Sequence, residues 1–204
     1  MGYGGARETS LTIDHDRRLA MAILKVARMG HPVLREKCKP IDPAKITGPE
    51  VQRLIRDMLE TMFEYNGVGL AAPQVYTPLQ LVIAGGEVQE DGRPKLRILI
   101  NPEITVYDKA EQLGMFEGCL SIPGLRGYVE RPAHIKVTAL NEKAEKVELE
   151  LEGFPAVVMQ HECDHLDGVL YVDRIEDRSK LGFEEEVTRF HDLADFDDEE
   201  GEDD

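Results

Sequence analysis

The chain has 204 residues, 42% of them hydrophobic, and a formal net charge of −16, which suits one domain with a sizeable core. Its three cysteines, Cys38, Cys119 and Cys163, form no paired framework, and neither a long apolar span nor a secretory signal is evident. That excludes a disulfide scaffold and a helical membrane protein, and points to a reducing, cytoplasmic setting.

Residues 1–20 mix glycine with both signs of charge and lie ahead of Met21. They are expected to form an N-terminal extension, mobile or an unused upstream start, outside a folded domain over 21–193. The spacing predicts a helix from Pro49 to Tyr65. The next segment, Gly67-Val68-Gly69-Leu70-Ala71-Ala72-Pro73-Gln74, reads as a glycine helix stop and turn. It is not a dinucleotide fingerprint, because the third glycine is absent and the run follows a helix instead of a strand. Its small residues would let a substrate backbone approach closely, with Gln74 offering an amide donor.

Strand-like runs follow at Leu79 to Ala84, Arg97 to Ile100, Ile135 to Leu140 and Val147 to Leu151, separated by Gly, Pro and Asn turns and mostly antiparallel. Helical periodicity returns over Phe154 to Leu166, Gly168 ends that helix, and Leu181 to Leu193 reads as a last one. There is no internal repeat. The pattern is α+β, with antiparallel sheets packed around a central helix. Asp195 to Asp204 is too acidic and too poor in apolar residues to fold by itself, so residues 194–204 are expected to be a disordered, solvated tail. From Glu184 onward twelve acidic residues stand against one base, Arg189, a net −11 that leaves only −5 for the rest.

Chemistry concentrates in Gln160-His161-Glu162-Cys163-Asp164-His165-Leu166-Asp167-Gly168. On a helix the two histidines of H-E-x-x-H stand one turn apart on one face and can bind one metal, while Glu162 lies beside them to handle a proton. Cys163 points in a different direction and reads as packing, as does Cys38. A hydrolytic metal needs a third protein ligand and an open position for water. In the extended metalloprotease pattern that ligand is a histidine, but Tyr171 occupies its position here. Asp173, Glu176 and Asp177 could serve, although acids abound in this chain. Cys119, within Glu117-Gly118-Cys119-Leu120-Ser121, is the stronger candidate, because a thiolate with two imidazoles leaves one tetrahedral position open. Taken alone it also reads as a small buried hydrophobe.

These three segments match G-x-G-x-A-A-x-Q, E-G-C-x-S and Q-H-E-x-D-H-x-x-G, complete and in order, and over Met21 to Arg178 the chain closely resembles the peptide deformylases. The resemblance implies removal of the formyl group from the N-terminal formyl-methionine of new polypeptides, with release of formate. It implies Cys119, His161 and His165 as metal ligands, Glu162 as general acid and base, and Gln74 with the Leu120 backbone N–H as oxyanion donors. It places Val68, Met115, Phe154, Val157 and Val158 near the methionine pocket, though apolar residues at such spacing are also ordinary core. Gly69 and Arg126 look like substrate-backbone contacts, and Glu117 with Arg131 is expected to brace the Cys119 loop.

The ligand set suits several divalent metals; the resemblance favours Fe(II) in the cell, with zinc, nickel or cobalt after purification. The implied partners are N-formyl-methionyl nascent peptides and a transient ribosome contact, with no membrane and no nucleic-acid site evident. Docking by the C-terminal end is doubtful, since RNA phosphates would repel this tail. Two other functions are open to the same residues: a non-catalytic metal-binding module of this fold and a generic metallopeptidase.

Overall fold

The computed structural model describes residues 22–89, 92, 94–107 and 110–191. The expected extension over 1–20 and tail over 194–204 lie outside the described residues. Two antiparallel sheets, three α-helices and five short 3₁₀ helices make up the regular structure described.

Helix α1 spans Pro49–Glu64, one residue short of the expectation, and begins with proline at its first turn after Gly48. There the missing N–H and fixed φ of proline cost nothing. Val51, Ile55, Met58 and Met62 recur at helical spacing and are buried. Each contributes about 1.5–3 kcal/mol by leaving water. Asn66, and not the expected glycine, takes the left-handed conformation that ends the helix, with φ 53°. The Gly67 N–H donates to the Met62 carbonyl at 2.8 Å and the Asn66 N–H to the Phe63 carbonyl at 3.0 Å, a Schellman closure.

Strands β1 (Gly69–Ala71), β2 (Leu81–Val88), β3 (Pro94–Val106), β6 (His134–Leu140) and β7 (Lys146–Glu152) form the larger sheet in the order β1-β2-β3-β6-β7. Strands β4 (Gln112–Cys119), β5 (Ile122–Pro132) and β8 (Leu181–Phe183) form the smaller one. All strand pairs are antiparallel. The larger sheet is covered on both faces, which explains the unbroken apolar run at the start of β2. Leu81 and Ile83 face the core built with Ile55, Met58 and Met62 of α1. Val82 and Ala84 face the opposite core, built with Ala156 and Met159 of helix α2 (Phe154–Leu166). Alternate side chains along a strand point to opposite faces, so one strand serves both layers.

Helix α2 matches its expected bounds, and its end explains Gly168. That glycine adopts φ 74°, and the Val169 N–H reaches back to the Asp164 carbonyl at 3.0 Å. A Cβ at Gly168 would also lie 2.7 Å from the Arg35 carbonyl group. The last expected helix is corrected. Leu181–Phe183 pairs with Leu125–Gly127 as β8, and only Glu184–Phe190 is helical, as α3. Backbone pairing with β5 wins the first three residues; the expected end at Leu193 lies outside the described residues. Cys38 is buried, and Cys163 packs against the core beneath α2, as the sequence suggested.

Candidate active site and metal centre

Three chain segments converge on α2. The first is the glycine segment leading into β1. A Cβ added to Gly69 would lie 2.3 Å from Glu162 Oε1, so the absent side chain is what admits the carboxylate. A Cβ at Gly67 would press on the Leu120 side chain at 2.9 Å. The Ala71 N–H donates to Gln74 Oε1 at 2.7 Å, which turns Gln74 Nε2 toward Cys119 Sγ at 3.4 Å and Ser121 Oγ at 3.3 Å.

The second segment is the β4–β5 hairpin. Its register slips between Glu117 and Cys119, and such a bulge re-aims the side chains that follow it. Glu117 stays buried while Cys119 ends the strand at the tight turn through Leu120 and Ser121. Arg126, farther along β5, lies over Gly118, where a Cβ would fall 2.5 Å from Arg126 Nη1.

The third is α2 itself. His161 and His165 are buried with ring centroids 5.1 Å apart. One ligand atom from each of Cys119, His161 and His165 lies within 4.8 Å of the others, and Cys119 Sγ is 3.3 Å from His165 Nε2. Asp173, Glu176 and Asp177 are not part of this cluster. Asp173 pairs with Arg35, and Asp177 accepts from the Ser179 N–H at 2.9 Å. Tyr171, at the position of the metalloprotease histidine, is buried with its ring stacked 6.1 Å from that of His161.

A buried ion-pair network supports the cluster. Arg131 donates to both oxygens of Glu117, from Nε at 2.5 Å and Nη2 at 3.0 Å, and from Nη1 to Asp164 at 2.8 Å. Glu117 Oε2 in turn lies 2.8 Å from His161 Nδ1, which fixes that ring and leaves Nε2 for a ligand. Burial works against the Glu117 carboxylate, but hydrogen bonds from His161 and Arg131 outweigh it and hold the carboxyl below its ordinary value. At His161 burial opposes the charge too, yet hydrogen bonds with Cys119 and Glu117 raise the ring well above its usual range. Burial and the neighbouring His161 hold His165 well below its usual range.

These features fit a divalent metal. A soft sulfur and two imidazoles are an established first-row donor set. Cys119, Glu117 and Glu162 set negative charge around the His161 ring, which a bound cation would offset. Glu162 Oε2 and His165 Nδ1 are buried without a hydrogen-bond partner among the described residues. Burial pushes the Glu162 carboxyl up to about 7, the range in which a group can both take and return a proton near neutrality.

A cavity of about 500 Å³ opens beside Glu162 and is lined by Val68, Met115, Phe154, Val157 and Val158, the five residues expected at the methionine pocket. Cys119, Leu120, His161, Gly69 and Arg126 also line it. Gln74 is not among the lining residues, but its Nε2 donates to Cys119 Sγ, which is. Sequence reasoning missed four neighbours: Ser121 beside Gln74, Asp164 on Arg131, Tyr171 on His161, and Glu184, which lines the cavity and pairs with Arg126. Only Ser121 and Asp164 fall inside the motifs; Glu184 is hidden in an acidic run.

A sequence model of the family described as polypeptide deformylase matches residues 23–181. A peptide deformylase of Leptospira biflexa is 42% identical over 172 residues, covering 82% of this chain and 96% of its own length. One from Aquifex aeolicus is 49% identical over 138 residues, covering 68% of this chain and 80% of its own. The crystal structure of a class I type b peptide deformylase from Acinetobacter baumannii with Met-Ala-Ser bound superposes with a TM-score of 0.71 at 37% identity, covering 76% of this chain and 100% of that one. The Thermotoga maritima peptide deformylase superposes at 0.68 and 41% identity, covering 76% and 99%. Residues that converge on one cavity, the match over most of the described chain and these relatives agree, and the chain belongs to the peptide deformylase family, enzymes that remove the N-formyl group from nascent peptides.

Proposed function

We propose that Cys119, His161 and His165 hold one divalent metal ion, Fe(II) in the cell, and that Glu162 is the general base and then the general acid of deformylation in this chain. The reading rests most on one observation: a buried carboxylate is seated against Gly69 beside a Cys, His, His cluster. The chemistry that a divalent cation supplies when bound is Lewis acidity, acidifying water and polarising a carbonyl.

Glu162 takes the proton of the attacking water as the new C–O bond forms at the formyl carbon, and later returns it to the leaving nitrogen, giving formate and a free amine. Charge that collects on the former carbonyl oxygen is met by the Gln74 amide and the Leu120 N–H. Gln74 Oε1 is tied to the Ala71 N–H, so its NH₂ group is held facing Cys119 without further ordering. Val68, Met115, Phe154, Val157 and Val158 form the methionine pocket, while Gly69 and Arg126 contact the peptide backbone. The Acinetobacter neighbour carries Met-Ala-Ser, the kind of peptide that deformylation of a formyl-methionyl chain would leave.

The catalytic domain is assigned to residues 21–193, with residues 1–20 before it and the acidic residues 194–204 after it. The setting is cytoplasmic, where the three cysteines stay free thiols and nascent chains are met. Among the described residues no helix is long and apolar enough to cross a membrane. Any ribosome contact is transient and does not use the acidic end.

The test is formate release from formyl-Met-Ala-Ser by anaerobically purified, Fe(II)-loaded protein. Glu162→Ala, an acetylated peptide and an unformylated peptide serve as controls. Release restricted to the formyl peptide and dependent on Glu162 is expected. Full metal loading with no release would move the assignment to a metal-binding module, and cleavage of the unformylated peptide to a metallopeptidase. Metal analysis of the same preparation is expected to find iron, with zinc, nickel or cobalt in protein purified in air.

A further inference from the structure

At the rim of the cavity the Arg126 guanidinium is engaged by a residue from outside the three motifs. Arg126 Nε donates to Glu184 Oε1 at 3.0 Å, and Nη2 donates to the same oxygen. The guanidinium also lies close to Gly118, the residue before Cys119, where a Cβ would fall 2.5 Å from Nη1. Glu184 is the first residue of α3, directly after β8 pairs with the strand that carries Arg126. The element is anchored against the cleft at a second point, where the His191 ring packs 5.1 Å from that of Phe116 in the cavity wall. Both partners of the ion pair line the cavity, and both remain partly exposed, at 35% for the Arg126 side chain and 46% for Glu184. A passing peptide can therefore meet either charge.

We propose that Glu184 is a specificity-determining residue of this enzyme: by pairing with Arg126 it cancels the cation at the rim and biases the cleft against acidic residues after the formyl-methionine. The inference rests on the deformylase reading above. With Glu184 in place an acidic peptide side chain meets a neutralised guanidinium followed by Glu185 and Glu186 in the first turn of α3, whereas a basic one meets a carboxylate it can share. Without Glu184 the same acid meets an unpaired Arg126. Glu184 acts through Arg126, with no part in bond making.

The experiment compares kcat/KM for formyl-Met-Lys-Ala against formyl-Met-Asp-Ala, and for formyl-Met-Ala-Lys against formyl-Met-Ala-Asp, in the full chain, Glu184→Gln and Glu184→Asp. The Lys-to-Asp ratio within one variant cancels any loss of folded enzyme. Glu184→Gln is expected to lower that ratio about five-fold at one of the two positions, the scale of one partly exposed charge interaction. The change should sit in KM, and Glu184→Asp should restore the ratio. A ratio that does not move in Glu184→Gln at either position overturns the proposal, as does the same shift in an Arg126→Ala background. If the full chain turns over no formyl peptide, including formyl-Met-Ala-Ser, the deformylase reading fails separately. Calorimetric binding of Met-Ala-Lys and Met-Ala-Asp, with Met-Lys-Ala and Met-Asp-Ala, then reads the same preference without turnover.

Discussion

Gly69 has no room for a methyl group, because the space a Cβ would fill, 2.3 Å from Oε1, belongs to Glu162. Its φ is not in the left-handed region, so the constraint there is steric and not conformational. Gly69→Ala should therefore fold and bind metal but push the carboxylate out of place. Its kcat is expected to fall at least about ten-fold, since small displacements of reacting groups are costly. Unchanged turnover in the folded variant would mean that the position of Glu162 is not critical. Glu162→Gln probes the proton directly: it keeps the volume and removes the base, so kcat should drop about 10²–10⁴-fold with one metal per chain retained. Parallel loss of metal would show that Glu162 is a ligand as well. At this scale the sequence was informative about identity and less so about reason. The glycines read as access for a substrate backbone, whereas Gly69 first of all admits Glu162, a contact between residues 93 positions apart that no local pattern encodes.

The hairpin β4–β5 carries one metal-ligand candidate, and its geometry depends on a buried ion pair whose two side chains are 4% and 3% exposed. Glu117→Gln would leave Arg131 with Asp164 as its only remaining carboxylate among the partners described, and would weaken the orientation of His161. The unfolding free energy is expected to fall by about 3 kcal/mol, the lower part of the range for breaking a buried pair, because Asp164 still pairs with Arg131. Metal affinity should fall about 10–100-fold through the looser imidazole. Chemical denaturation and competition with a chelator measure the two effects; an unchanged midpoint with unchanged metal retention would deny the bracing role. Helix α1 was legible because its apolar residues recur at helical spacing between a proline start and a left-handed end, and α2, buried through a nearly continuous run, was legible from the H-E-x-x-H spacing and the glycine that ends it. Strands β4 and β5 were not, because Gly114, Gly118, Gly124 and Gly127 and the charged residues around them interrupt any alternation. Three of those glycines lie where partners approach: Tyr128 covers Gly114, Arg126 covers Gly118 and Ile175 covers Gly127, while Gly124 faces open space and takes φ 75°. Tertiary packing, invisible in a local window, makes these segments strands.

Charge is a property of the whole molecule, and here it is concentrated where the expectation placed a solvated tail. Deleting residues 195–204 removes eight acidic residues and no base, taking the formal net charge from −16 to −8. Among the described residues, the last that lines the cavity is Glu184 and the last metal-ligand candidate is His165. Turnover of a short formyl-Met peptide should therefore be unchanged by the deletion. Association with ribosomes should respond in the opposite sense to a docking tail. Like charges repel over roughly 8–10 Å at physiological ionic strength. Removing eight of them should strengthen co-sedimentation at low salt, with the difference between full-length and truncated chains closing as salt is raised. A truncated chain that sediments less would make the acidic end a docking element that meets a basic ribosomal protein surface. An unchanged distribution at every salt concentration would place the tail outside the encounter altogether. The peptide assay must accompany the sedimentation, because only unchanged turnover of a neutral substrate assigns the altered distribution to surface charge and not to the catalytic cleft.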